Sequence, residues 1–567
     1  MQIKSRENVL KNLLFIGSPL ISLFLVNSAV TDPVNTPKLF ILGVIATGVL
    51  VSVAYGISGI EIRERILPLS LLGLFLLLSV ITLASSSLPL TQSIYGVYGR
   101  NNGFLAYLFF SFMFLGGLFI STSTTHLKLI VGLFIAGLVN IVYCGWVLAF
   151  GDFLSWTNPY GNILGTFGNP NFIGAFLGMF FSAWVAFLIA PSTTRNFRLV
   201  SLVVIPLTAI EIYLSRAIQG RVLMVAGSAL AIFYWIKCKQ INRFALLGYS
   251  VLVFITGAFA LAGALQVGPL TSLIYKTSVS LRGQYWLSGW NTGVTHPFTG
   301  VGYDGLGDWY RRMRDPHALE LPGVDTVVNT AHNVPLDIFA FGGWPLFLSY
   351  LAIIVITLIS IFRYSLKLKS YDRIFIGLVV AWACYQLQSV ISINQIGLGF
   401  WGWVLSGAIL SYTKNTKIEQ ISTPTESSRK QNRRKQKTPN PISVGLVAGI
   451  GMLVGALISV PPLSSDLKWV SARTTSDALQ LEQTLKTGYL NPNNSRKYFM
   501  TVELFEQSGI YNLSHKYALE AVKFNPDSYD GWKLLSLLRN TSDAEKLKAL
   551  ENMKRLDPLN PNLISSP

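Results

Sequence analysis

The sequence predicts an all-α fold: a polytopic membrane helical bundle of about 12–13 transmembrane helices, followed by an extracytoplasmic helical-repeat domain at the C-terminus. Three observations predict it. Charged residues make up only 13% of the 567, where a soluble domain carries roughly 25%, and the mean hydropathy is +0.47. Apolar runs of about 20 residues, the length that crosses a bilayer, are centred near residues 20, 48, 75, 112, 139, 180, 206, 229, 254, 350, 382, 404 and 451. After Leu463 the composition turns soluble, and Asn491-Pro492, Asn525-Pro526 and Asp557-Pro558 recur at 34 and then 32 residues.

Taken in order, the chain starts with Lys4, Arg6 and Lys11 before an apolar run long enough to span, with no clear small-residue cleavage signal after it, so an uncleaved first helix is expected. The net charge of +18 would suggest nucleic acid in a soluble protein. Here the basic residues fall in short intervals between apolar runs, which points to membrane orientation and excludes a nucleic-acid partner. Arg63 and Arg65, Lys128, Arg195 and Arg198, Lys237, Lys239 and Arg243, and Arg363 to Arg373 mark one set of alternate loops as cytoplasmic. The opposite loops are poor in Lys and rich in Gly, Asn, Pro and Trp. Residues 1–412 thus read as the transmembrane domain, 413–441 as a disordered basic cytoplasmic linker containing RKQNRRKQK, and 442–460 as a last helix that returns the chain outside. Residues 463–567 read as tetratricopeptide-like hairpins: YFMTVELFEQSG with NLSHKYALEAVKFNP, and GWKLLSLLRN with DAEKLKALENMKRLDP, capped by an earlier helix over 466–485. Such units bind a partner or simply pack. Cys144, Cys238 and Cys384 have no metal-ligand spacing, and no disulfide framework or metal site is expected.

The longest polar interval between spans, about 267–335, holds His296, His317, His332, Arg282 and the run Arg311, Arg312, Arg314. Topology explains cytoplasmic arginines but not those on the outer side, so Arg100, Arg216, Arg221 and Arg282 stand out. A guanidinium fork matches phosphate oxygens and does not titrate away; snorkelling at the interface is the plainer alternative. His332, at the outer start of a span, is the candidate proton acceptor, although a satisfied structural histidine fits the same position. His296 and His317 are weaker candidates beside prolines, Asn171 is expected to cap the helix after Pro170, and Asp32 and Lys38 are expected near the outer edge of the first hairpin. Tyr285, Trp286, Trp290 and Trp309 fit either a sugar platform or an interfacial belt.

Several stretches, in order, resemble the O-antigen ligase and O-antigen polymerase superfamily of bacterial membrane glycan transferases: SLPLTQSIYGVYGRNNGFLAY, GTFGNPNFIGAF, SRAIQGRVLM, LRGQYWLSGWNTGVTHPFTGVGYDGLG and HNVPLDIFAFGGWPLFL. The tail resembles that of members with a tetratricopeptide-like appendage. The resemblance implies a GT-C-like membrane fold in the bacterial plasma (inner) membrane and an undecaprenyl-pyrophosphate-linked glycan as donor at the outer leaflet. It implies a lipid, glycan or protein acceptor and membrane lipids as surroundings; the period and outer location of the C-terminal repeats suggest that they recruit an acceptor or a protein partner. His332 and Arg282 would be the catalytic pair, His332 acting on the acceptor hydroxyl and Arg282 holding the pyrophosphate with Arg216, Arg221 and Arg100, and no cofactor or metal would be needed. Ligation, polymerisation and protein O-oligosaccharyl transfer stay open on the residues alone, as do a flippase-like transporter and a non-catalytic assembly scaffold.

Overall fold

The structure is a computed structural model, which describes residues 2–275, 277–421, 441–475 and 477–564. Apart from an isolated bridge between Gly488 and Asn491, every regular element among them is helical. The first half comprises α1 (Gln2–Leu23), α2 (Asn35–Ala54), α3 (Gly59–Glu64), α4 (Ile66–Ser85), α5 (Leu90–Tyr95), α6 (Phe104–Leu118), α7 (Ser123–Phe150) and α8 (Pro170–Leu188). There follow α9 (Arg195–Leu214), α10 (Ile218–Cys238), α11 (Arg243–Ala264), α12 (Thr271–Ile274), α13 (Thr277–Thr295), α14 (Leu306–Met313), α15 (Val334–Lys367), α16 (Arg373–Ile391) and α17 (Ile396–Ile421). The chain closes with α18 (Pro441–Thr475), α19 (Ala478–Thr484), α20 (Ser495–Gln507), α21 (Tyr511–Phe524), α22 (Tyr529–Leu537), α23 (Asp543–Leu556) and α24 (Pro561–Ile564).

Eleven described helices are long and apolar enough to cross a membrane. The other two of the thirteen expected runs are α1, whose start is charged, and α6, which has only 15 residues. Helices α2, α6, α8, α16 and α17 form the interior, with Phe109, Phe110, Phe176 and Trp401 fully buried. Helix α11 buries almost nothing and leaves Leu252 and Phe254 exposed, as suits a helix whose surroundings are hydrocarbon.

The loops sort to two ends of the bundle as the charge alternation groups them. At one end Arg6 Nη1 donates to Glu61 Oε2 at 3.1 Å, Glu7 accepts from Ser121 and Thr122, and Lys414 reaches Glu64 at 2.9 Å. At the other end Asn35 Nδ2 donates to the Gly99 carbonyl at 2.7 Å, Asn102 donates to the Asn394 carbonyl, and the tail docks. The RKQNRRKQK stretch of the expected linker lies outside the described residues, and α17 continues to Ile421, beyond the boundary expected at 412.

Three local expectations are corrected. The polar interval before His332 is not an open loop: it folds into α13 and α14, and α13 packs along α15 through Gly289, next to Ala331, and Gly293, against the Phe339 ring. The last span does not stop before Pro461 and Pro462, because α18 runs through them to Thr475, and the helix expected over 466–485 is split between α18 and α19. Pro461 removes the N–H that would bond the Leu457 carbonyl, and the Tyr489 hydroxyl donates to that carbonyl instead. The cap of α8 is Asn169, whose side chain accepts from Asn171 N–H at 2.9 Å, because Pro170 takes the first helical position.

Helix α15 breaks at Gly343 (φ 64°, ψ −164°), inside Gly342-Gly343-Trp344-Pro345. Pro345 has no N–H to offer the Phe341 carbonyl, so Gly302 N–H takes it at 3.0 Å, while Val301 N–H takes the Ala340 carbonyl at 2.9 Å and Trp344 N–H turns to the Pro297 carbonyl at 2.8 Å. This accounts for Pro297-x-x-Gly300-x-Gly302: Gly300 has φ 61°, and a Cβ there would run into the Phe341 carbonyl.

The tail forms two helix pairs, α20 with α21 and α22 with α23, around Val502, Phe505, Ala518, Leu535 and Ala549. Asp466 of α18 accepts from Thr31 N–H at 2.8 Å and Asp32 N–H at 3.3 Å. The arginine run of α14 grips the proline turns of the tail. Arg311 and Arg314 share Asp557 at 3.0 and 2.7 Å with all three side chains buried, Arg312 faces Asp527 at 3.6 Å, and Arg311 lies over the Tyr529 ring at 4.0 Å. Asp557→Ala leaves two buried guanidinium groups without their carboxylate and is expected to lower stability by about 3–5 kcal/mol, read as faster proteolysis within residues 477–564. Gly343→Ala forces a Cβ into the Pro297 carbonyl at a backbone conformation reserved for glycine. It is expected to lower stability by about 2–4 kcal/mol, read as a lower unfolding temperature in detergent.

Candidate functional site

His332 lies one residue before the cap of α15. Asn333 Oδ1 accepts from Leu336 N–H at 3.0 Å, Asp337 Oδ1 reaches back to Ala331 N–H at 2.7 Å, and His332 N–H donates to Thr330 Oγ1 at 3.1 Å. These bonds hold His332 in the left-handed conformation, φ 53°, and aim its half-buried ring at Tyr285 of α13, 5.3 Å away between centroids. Tyr285 in turn meets Tyr310 of α14.

Arg100 is presented by the turn between α5 and α6, where Gly96, Gly99 and Asn101 all have positive φ. Buried Asp304, two residues after Gly302, accepts Val97 N–H at 2.7 Å and fixes this turn to the segment that covers the α15 break. Thr36 Oγ1 donates to Asn101 Oδ1 at 3.0 Å, tying the same turn to α2. Arg282 sits one helical turn before Tyr285 on α13.

The charges of Arg100 and Arg282 both act on the His332 imidazole. Burial first, then these two guanidinium groups, push it down to about 3 from the ordinary value near 6.5. The ring is therefore neutral across the physiological range. Asp304 lies in the field of Arg100, as does Asp337, but one oxygen of each is committed to a backbone N–H.

Arg216 and Arg221 occupy the turn between α9 and α10. That turn presses on the start of α8: Gly220 packs on Gly174 and the Gln219 amide donates to the Asn171 carbonyl. Arg216 is exposed with φ 57°, and Arg221 lies 5.8 Å from the centroid of the Tyr213 ring. The structure thus brings Arg100 and Arg282 to His332 and leaves Arg216 and Arg221 on the neighbouring α8–α10 edge.

The remaining candidates have other partners. His317 is exposed and bonded to Asp315 at 2.7 Å, and His296 packs on Trp309, which also carries Arg312 over its ring at 3.6 Å. Trp290 packs against Phe339 and Trp344, so of the four aromatic candidates Tyr285 is the one in ring contact with His332. Lys38 caps α1 by donating to the Ser22 and Phe24 carbonyls at 2.7 and 2.8 Å. Sequence reasoning missed Asp304 and Asp337. Both are acidic residues at an apolar boundary within a few residues of glycine or histidine motifs, a signal that points to structural tethering as well as to chemistry.

Residues 202–351 match the family model described as O-antigen ligase. The match runs from within α9 to within α15 and so includes Arg216, Arg221, Arg282, His332 and the helix break, while Arg100 lies before it. No curated protein matches the chain. Over residues 202–351 the chain is thus similar to O-antigen ligases, and this stretch lies inside a multi-pass helical bundle.

Proposed function

We propose that the protein is a metal-independent glycosyltransferase at the outer face of the plasma membrane, where it moves a glycan from undecaprenyl pyrophosphate onto an acceptor hydroxyl. What supports this reading is that the charges of Arg100 and Arg282 both act on His332, in a turn fixed by backbone hydrogen bonds and with its ring against Tyr285. The acceptor hydroxyl gives its proton to His332 as its oxygen bonds to the anomeric carbon. The bond from that carbon to the phosphate oxygen breaks, and undecaprenyl pyrophosphate leaves with the electron pair. Arg282 and Arg100 stabilise the charge that develops on the leaving group, and Arg216 and Arg221 hold the pyrophosphate from the α8–α10 edge. Preorganised cations facing a developing charge commonly accelerate a reaction more than any other single effect, and here they take the part a divalent metal plays elsewhere.

With no donor bound, burial first and then the same two cations make His332 a weak base. A diphosphate seated between them reverses the local field and raises the basicity of the ring, so proton acceptance is coupled to donor binding. The tail, tetratricopeptide-like by the spacing of its hairpins, is extracytoplasmic in this reading.

His332→Ala and Arg282→Ala are each expected to lower transfer by at least about a thousandfold while the protein inserts at normal levels. The assay is reconstitution with a lipid-pyrophosphate glycan, scoring polymer, ligated product, glycosylated protein and free undecaprenyl pyrophosphate separately. Full transfer by both variants overturns the site. The pH dependence follows from the sign of the shift: a base is usable above its own pKa, and the His332 value of about 3 keeps the ring neutral well below pH 6. Histidine NMR of the donor-free protein should show an unprotonated His332 at pH 5, and Arg100→Gln or added undecaprenyl pyrophosphate should move its titration up toward the ordinary value near 6.5.

A further inference from the structure

The tail and the bundle together line a half-open chamber of about 730 Å³, within the size range of ligand sites. Its bundle side is made by the loop after α1, the Arg100 turn, the loop before α8 and the Asn394-Gln395 turn. Its tail side is made by Val470 and Arg473 of α18 and by Arg496 and Met500 of α20.

The polar groups on these walls are incompletely used by the protein. Gln395 is 2% exposed; its amide N–H₂ donates to Asn35, and its carbonyl oxygen has no partner. One terminal nitrogen of Arg100 is likewise buried without a hydrogen-bond acceptor. Arg473 and Arg496 are exposed and make no ion pair among the described residues; they are held over aromatic rings, Trp469 at 5.3 Å and Tyr98 at 5.7 Å. The carboxylate on the lining, Asp32, is already engaged by the N–H groups of Val34, Asn35 and Thr36. A chamber with three arginines, buried amides and the Trp156 ring on its wall fits a sugar chain that carries negative charge, since amides and rings suit hydroxylated rings and guanidinium suits carboxylate or phosphate.

We propose that this chamber is a binding site for an anionic saccharide, held by Arg100 and Gln395 from the bundle and by Arg473 and Arg496 from the tail. Arg100 lines the chamber, and its charge also acts on His332. The tail then acts as a wall of the substrate site. The site stands on its own geometry, but the identity of its occupant as a reacting strand rests on the transferase reading.

The test is direct binding to the full-length protein in detergent, with a short oligogalacturonate as the anionic probe and an uncharged glucan of the same length as control. The anionic probe should bind and the control should not. Arg473→Glu with Arg496→Glu should weaken binding by at least about tenfold, while the lysine pair at the same positions should restore most of it. Equal binding of both sugars, or unchanged binding in the glutamate pair at an unchanged unfolding temperature, overturns the proposal. Added undecaprenyl pyrophosphate separates two supporting outcomes: displacement assigns the chamber to the donor glycan, and retention assigns it to the acceptor. His332→Ala should still bind the probe, so loss of the transferase reading and loss of the saccharide site remain distinguishable.

Discussion

Helix α15 cannot pass straight through Gly343 and Pro345, and the backbone groups released there must find partners. The Ala340 and Phe341 carbonyls take the N–H groups of Val301 and Gly302, which places Asp304 where it accepts Val97 N–H and sets the Arg100 turn. On the other side of the break, the short helical segment from Val334 carries Asp337, which takes Ala331 N–H and sets the His332 turn. One interruption in one helix thereby locates a cation and an imidazole that come from opposite halves of the chain. Asp304 and Asp337 each give one oxygen to a backbone N–H, of Val97 and Ala331, and act on Arg100 through their charge.

The arginines of α14 have a different role. Arg311, Arg312 and Arg314 look from sequence like more of the polar, cationic surface around His332. They are instead committed to Asp557 and Asp527 of the tail, in two of the proline turns whose spacing suggested repeats. A buried ion pair of this kind adds little over a well-packed apolar contact, but it strongly penalises any arrangement that separates its members. Together with α18 running unbroken into the tail and Asp466 gripping the first hairpin loop, it makes the tail part of the bundle end that carries His332. A recruiting module on a free tether would not need these contacts.

The helices were legible because an apolar run of spanning length leaves few alternatives, and the family resemblance was legible because several short motifs keep their order. Arg100 and Arg282 beside His332 were legible only as suspects, singled out by basic charge on the side where topology disfavours it. Their convergence depends on backbone bonds between segments far apart in sequence, which no local periodicity records. Helix α13 was hidden by its composition: Gly283, Gly289 and Gly293 look like loop residues, yet two of them let the helix lie close against Ala331 and Phe339. Pro461 and Pro462 misled in the opposite direction, because a tyrosine distant in sequence supplies a donor to a carbonyl left without one.

The break in α15 also bears on the rival reading as a transporter, since transporters use interrupted helices to turn backbone carbonyls and helix ends toward a passing substrate. Here the carbonyls freed at Ala340 and Phe341 are already occupied by Val301 and Gly302, and Trp344 N–H is occupied by Pro297. The interruption is closed by the chain itself and works as a joint between a membrane helix and a turn. What the joint presents is the His332 turn, where burial and then the charges of Arg100 and Arg282 lower the basicity of the ring. A conducting path needs surfaces that rearrange between two states. The proposed reaction at an anomeric carbon needs its charges held still before the substrate enters, and the backbone N–H bonds accepted by Asp304, Asp337 and Thr330 fit that second requirement.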